Sequence, residues 1–163
     1  MPIRNFTSTK SPNESIGLMM DLLADMNARD IGVRYDDARR PISLTFTVPV
    51  REVPVPFRLE VDPGATLAAM QADDRVPPRY CTEEQAMRTA WKNKHDWLDV
   101  MLAQIRESDI DLAQMFLGFA VVDDEGRTAY ELIRQNPDFL ARSDAPKRLP
   151  PHRHDRTEPP PGG

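Results

Sequence analysis

Three histidines, one cysteine and three short acidic runs are the groups of this 163-residue chain whose types could do chemistry. His95 precedes Asp96 and lies four residues before Asp99. On a helix that spacing lets an imidazole touch a carboxylate, which is half of an acid–base pair, but the same pairing is an ordinary feature of a solvated helix face. Acid–base catalysis needs a nucleophile or an orienting partner as well, and none stands at a diagnostic spacing. His152 and His154 form a His-x-His in a proline-rich tail, at most an opportunistic metal site. The helical His-Glu-x-x-His zinc pattern and the phosphate loop are absent: Gly17, Gly32, Gly64, Gly118 and Gly126 are isolated. There is no Gly-x-Ser-x-Gly elbow.

Cys81 stands just before a helix start, where a thiol can be acidified. Glu83 and Glu84 oppose that, no base is near in sequence, and the residue reads as inert. One cysteine also excludes an internal disulfide and a cysteine metal cage, which fits a reducing cytosol. Asp36-Asp37, Asp73-Asp74 and Asp123-Asp124-Glu125 read as solvated turns, and the last lacks the alternating ligands and distal Glu of a calcium loop. The expectation is a protein with no catalytic residue, no metal site and no cofactor.

The element that organises the rest is a helix from Thr82 to Arg106, which carries both tryptophans. Thr82 followed by Gln85 predicts a capping box, and Glu83 and Glu84 suit the positive end of the helix dipole. Met87, Ala90, Trp91, Leu98, Met101, Leu102 and Ile105 recur at spacings of three and four and form one apolar stripe. Arg88, Lys92, His95 and Asp99 share another face, expected to be wet. Trp97 falls at the stripe's border and is a candidate protein contact.

Before it, Ile3 to Thr9 reads as a short first strand. Ser11-Pro12-Asn13-Glu14 starts a helix that buries Ile16, Met19, Met20, Leu23 and Met26. Ile31, Val33 and Tyr35 alternate, as do Ile42, Leu44, Phe46 and Val48, then Val53, Val55, Phe57, Leu59 and Val61. A hairpin through Val50-Arg51-Glu52 would pair the last two runs. Pro54 and Pro56 lie two apart, so their missing N–H groups fall on one side and mark an edge strand; both are candidate protein contacts. After the sheet come a short helix over 65–72, the long helix, a short helix over 109–119 and a last helix over 127–135 with Tyr130 and Ile133 inward. The predicted fold is α+β: a small, mainly antiparallel sheet in the order β-α-β-β-β, packed on helices that include the tryptophan-bearing one. Residues 1–136 form the single domain. Residues 137–163 hold seven of the 16 prolines and read as a disordered tail.

The net charge is −5, and residues 1–136 alone hold 16 Lys+Arg against 22 Asp+Glu, a balance of −6. A duplex-DNA binder usually carries a basic face. Here only Arg34, Arg39, Arg40, Arg51 and Arg58 around the strands, with Arg88 and Lys92 on the helix, offer one locally. They form a candidate contact for single-stranded DNA or RNA. No run is apolar enough to span a membrane and no secretory signal opens the chain, so a cytoplasmic protein is expected.

Several segments taken in order carry a family resemblance: Ile3-Arg4-Asn5-Phe6-Thr7, Ser15-Ile16, Ile42 to Phe46 and Phe57-Arg58-Leu59. Gln85-Ala86-Met87-Arg88-Thr89-Ala90-Trp91 with Asp96-Trp97 follows, then Phe116-Leu117 and Gly126-Arg127-Thr128-Ala129-Tyr130-Glu131. This order resembles a family of small uncharacterised proteins of tailed phages, prophages and integrative elements, over most of residues 1–136 and none of the tail. Gly118-Phe119 departs from it where a Pro-aromatic pair is expected. The resemblance implies an accessory protein of a mobile element in a bacterial cytoplasm and assigns no activity. Together the readings predict a non-enzymatic binding protein that acts through a host or phage protein partner or by self-association. Single-stranded nucleic-acid binding is the alternative.

Overall fold

The computed structural model describes residues 3–138. Helix α1 (Pro12–Asp25) leads into three strands, β1 (Arg29–Tyr35), β2 (Pro41–Val50) and β3 (Val53–Glu60). Helix α2 (Pro63–Ala72), the long helix α3 (Glu83–Glu107), the single turn α4 (Leu112–Met115) and α5 (Ala129–Gln135) follow. The strands form an antiparallel meander in the order β1-β2-β3. The predicted α+β class therefore holds.

The sheet's alternation is the one its sequence dictates. Leu44, Phe46 and Val48 of β2, with Phe57 and Leu59 of β3, are buried against Ile16, Met19 and Leu23 of α1 and Met87, Trp91, Leu98, Leu102 and Ile105 of α3. Phe46 and Phe57 are cross-strand partners and stack with ring centroids 5.4 Å apart. The face turned away from this core carries Ser43, Thr45 and Thr47, flanked in register by Arg34 on β1 and by Arg58 and Glu60 on β3. Trp91 is fully buried, and its indole N–H donates to the Pro41 carbonyl at 3.0 Å. A smaller core of Met70, Val76 and Ala86 joins α2 to the start of α3, with Phe6, Tyr80 and the half-buried Cys81 packed on it.

The segment Ile3 to Thr9 is not the predicted strand. It lies along α3 as irregular backbone, turned at Asn5 in the left-handed region (φ 61°). Its backbone groups are satisfied by side chains of the helix instead of by a neighbouring strand. Gln85 Nε2 donates to the Phe6 and Ser8 carbonyls at 2.8 and 2.9 Å. Thr89 Oγ1 donates to the Asn5 carbonyl, Asn93 Nδ2 to that of Arg4 and Arg88 to that of Thr9. The capping box predicted at Thr82 is thereby only half formed. Thr82 accepts from the Gln85 N–H, while the Gln85 side chain is used on the N-terminal segment. The helix face expected to be wet is half-buried at Arg88, Lys92 and His95 for the same reason. The His95 ring faces Asp96 (Nδ1 to Oδ1, 2.9 Å), rather than Asp99.

Asp96 gathers this face. It accepts from Asn5 Nδ2 at 2.9 Å, from Lys92 and from His95. Burial raises its pKa, but the hydrogen bonds from Lys92, His95 and Asn5 outweigh that and hold it at about 2. A carboxyl depressed on folding stabilises the fold fully above its unfolded pKa of about 3.9 and loses that contribution as the pH falls through the folded value. Urea midpoints of the protein should therefore exceed those of Asp96→Asn at neutral pH, and the gap should close between about pH 4 and about pH 2. A gap constant over that interval would contradict the role.

Two further differences from the sequence reading have local causes. The segment expected to be one helix over 109–119 is interrupted: α4 spans one turn, capped by Asp111, and Leu117–Phe119 tighten into a 3-10 turn. Helix α5 starts at Ala129 because Thr128 and Glu131 form a reciprocal capping box. With that start Tyr130 is exposed, at 61 %, where the sequence reading placed it inward, and Ile133 is half-buried. The predicted tail is residues 137–163; all of it after Asp138 lies outside the described residues.

The β2–β3 connection has a testable local cost. Val50 pairs with Val53, and the two residues between, Arg51 and Glu52, both lie in the left-handed region (φ 47° and 71°). Asn-Gly suits this two-residue turn best, because each non-glycine residue there costs about 1 kcal/mol. The double substitution Arg51→Asn/Glu52→Gly should raise unfolding stability by about 1 kcal/mol in urea titration.

Candidate functional site

Trp97 anchors the C-terminal part of the fold. Its ring meets Phe116 and Phe119 edge-on, with centroids 5.4 and 5.5 Å away, and the Lys94 ammonium sits 5.2 Å over it. Phe116 is fully buried in the main core. Trp97 is thus half-buried, and its role in the structure is to fix the chain that follows α4. That chain then runs to the sheet.

The proline edge receives it. The Val61 N–H donates to the Ile42 carbonyl. The β2–β3 register then makes Phe46/Phe57 and Val48/Val55 hydrogen-bonded pairs and turns the backbone groups of Pro54 and Pro56 outward. The prolines remove donors from that edge, as the sequence reading requires, but leave acceptors. Pro56 uses its carbonyl to accept the Val121 N–H at 2.8 Å, and Ala120 bridges to Phe57. Beyond this one attachment Val53, Pro54 and Pro56 remain exposed. Val122 comes to lie next to the attachment and is 48 % exposed.

A turn and a clasp complete the arrangement. Asp123 accepts from the Arg127 backbone N–H at 2.9 Å and from its guanidinium at 2.6 Å, and these bonds lower the Asp123 pKa. Gly126 closes the turn with φ 76°, a conformation that favours glycine. Arg58 reaches from β3 to the Gly126 carbonyl and, through Nη2, to both Glu131 oxygens at 2.9 and 3.1 Å. Hydrogen bonds from the Thr128 backbone and hydroxyl and the charge of Arg58 lower the Glu131 pKa. What this frame leaves outside is apolar. Leu117, Val122 and Tyr130 are exposed, and Val122, Ala129, Leu132 and Ile133 line a cleft of about 520 Å³. Sequence reading missed Val122 and Leu132 as surface. The Thr-x-x-Glu signature at 128–131 was the available signal, because it sets the helix start and so its outward face.

The arginines proposed for nucleic acid are divided. Arg39, Arg40 and Arg88 share a groove of about 600 Å³ between the β1–β2 turn and the first turns of α1, α2 and α3. Asp36, Glu83 and Glu84 line the same groove. Arg40 pairs with Asp36 (2.8 Å) and Glu83 (3.8 Å), and Arg88 pairs with Glu84. Arg34 and Arg58 lie on the outer sheet face, Arg58 turned to the clasp; Arg51 is at the β2–β3 turn; Lys92 pairs with Asp96. Among the described residues no group of three or more His, Cys, Asp or Glu could hold a metal ion. No helix among them is long and apolar enough to cross a membrane.

Arg58→Ala removes a half-buried donor set and frees Glu131 and the Gly126 carbonyl. It should cost about 1–2 kcal/mol in urea unfolding, below the fully buried figure because Glu131 is 39 % exposed. The companion Glu131→Ala should then be less than additive with it; additivity would mean that the clasp is not formed.

Comparison with protein-family profiles, with curated proteins and with solved structures finds no significant match to this chain.

Proposed function

We propose that this is a non-enzymatic binding protein that docks on another protein chain, a heterologous partner or a second copy, through its C-terminal face. The observation that carries the reading is the exposed apolar set Val53, Pro54, Pro56 and Val122 beside the cleft lined by Leu132 and Ile133. Its frame is fixed by the Arg58 clasp and the Val121–Pro56 hydrogen bond. Exposed apolar surface on an ordered frame is what a protein contact uses. Strand addition along the β3 edge is disfavoured, since Pro54 and Pro56 have no N–H to give. Contact is therefore made by side-chain packing. The resemblance of the helix Gln85–Trp97 and the segments around it supports reading the chain as an accessory protein of a phage or mobile element, working in a bacterial cytoplasm.

Single-stranded nucleic-acid binding is the second reading. Arg34, Thr45 and Thr47 share the sheet face turned away from the core helices, which favours it. Against it stand the carboxylate partners of Arg40, Arg88, Lys92 and Arg58.

A photo-crosslinking residue in place of Val122, in the full chain expressed in a bacterial cell, should give one discrete adduct. The same residue in place of Arg34 should give none. A doubled mass identifies self-association and another discrete mass a heterologous partner. Equal labelling at both positions, or none at either, contradicts the reading.

A further inference from the structure

We propose that Lys94 is a covalent ligand site, whose amine forms a reversible imine with a neutral aromatic aldehyde held against Trp97 and Phe119. The site is separate from the C-terminal docking face and adds a small-molecule ligand to a chain read so far through its protein contacts.

The geometry comes from four elements. A cleft of about 570 Å³ opens where the end of β3, the first turn of α2, the middle of α3 and the 3-10 turn at Leu117–Phe119 meet. That volume is in the range of small-molecule sites. Trp97 and Phe119 meet at 64° with ring centroids 5.5 Å apart, and Val61 and Ala90 extend the apolar wall. Lys94 stands three residues before Trp97 on α3, so the two share a face of the helix. The half-buried Lys94 side chain thus carries its nitrogen over the indole, 5.2 Å from the centroid.

The polar groups around this amine are committed elsewhere. The Glu60 carboxylate lies 2.9 Å from Arg58 Nε, and Asp62 caps α2 by accepting from the Ala65 N–H at 2.8 Å. Asn93 is engaged with the N-terminal segment, where it accepts from Asn5 and donates to the Arg4 carbonyl. Lys92, two residues away, has Asp96 as its partner. Among the described residues Lys94 has no such ion pair, and its contact is the indole face. Burial lowers the Lys94 pKa, and the charge of Glu60 offsets this only in part. An amine desolvated in this way gives up its proton more readily than a surface lysine, and the free amine is the form that attacks a carbonyl.

The reaction needs no oxidant or reductant. Lys94 releases a proton to solvent, and its nitrogen lone pair forms a bond to the aldehyde carbon while the carbonyl π pair moves to oxygen. Transfer of a proton from nitrogen to oxygen gives the carbinolamine. Its hydroxyl, protonated by solvent, leaves as water as the nitrogen lone pair forms the C=N bond, and the iminium returns a proton to solvent. Amine and aldehyde become imine and water, and the same steps run backward release the ligand. The walls set the ligand class. Trp97 and Phe119 favour an aromatic ring. The carboxylates of Glu60 and Asp62, which line the same cleft, disfavour an anion.

The test is reductive trapping on the full chain. Protein is incubated with benzaldehyde and cyanoborohydride, which reduces the imine to a stable secondary amine, and the adducts are mapped by peptide mass spectrometry. Lys94 should carry about tenfold more adduct than the exposed Lys10, the gain that one well-placed aromatic contact supplies. That preference should vanish in urea and shrink with the anionic formylbenzoate in place of benzaldehyde. Labelling of Lys94 no greater than that of Lys10 would overturn the proposal. So would a preference that persists in the unfolded chain, or equal trapping of the anionic and the neutral aldehyde at Lys94.

Discussion

The hydrogen bond from the Trp91 indole to the Pro41 carbonyl is the joint on which the rest of the structure depends. It is made in the dry centre of the main core, where an indole N–H without a partner would cost about 1–3 kcal/mol. Pro41 opens β2, the central strand, so the bond sets where the sheet begins along α3. From that point the apolar stripe of α3 runs past Leu98 and Leu102 to Ile105, all buried. Its length of 25 residues lets one element contact α1, α2 and α4 in turn.

The two flanks of the same helix do different work. On one, Gln85, Arg88, Thr89 and Asn93 hold the backbone of the N-terminal segment, and Asp96 holds Asn5. Side-chain amides suit this task because each offers donors and an acceptor to an irregular chain. On the other, Trp97 catches Phe116 and Phe119 and thereby sends the C-terminal part toward the sheet edge. The residues of the Gln85–Trp97 segment are thus occupied mainly in holding the two ends of the fold. They read as architecture, and the free apolar surface lies elsewhere.

The parts that follow from local rules were legible in the sequence. The Ser11 capping box, the alternation of β2 and β3, the stripe on α3 and the proline edge are each written in neighbouring residues. Long-range hydrogen bonds were not. Nothing near Gln85 says that its amide serves Phe6, 79 positions away, in place of its own helix cap. Ile3 to Thr9 reads as a short strand, yet it finds α3 side chains where a strand would need a partner strand. Arg58 looked like one member of a basic sheet face because its partner, Glu131, lies 73 residues on. The candidate contact face was half visible. Pro54 and Pro56 announced an unpaired edge, but Val122, Leu132 and Ile133 join it only through the turn at Asp123–Arg127 and the clasp.

Because contact face, clasp and sheet are all referred to α3, the most direct test of this account is amide hydrogen exchange on Trp91→Phe. That substitution keeps an aromatic ring in the core and deletes the N–H. The account predicts faster exchange at the start of β2, in the N-terminal segment, and in β3 and α5 together, as one cooperative unit. Acceleration confined to the α3–β2 junction, with β3 and α5 unchanged, would show that the face stands independently of the helix and would contradict the account.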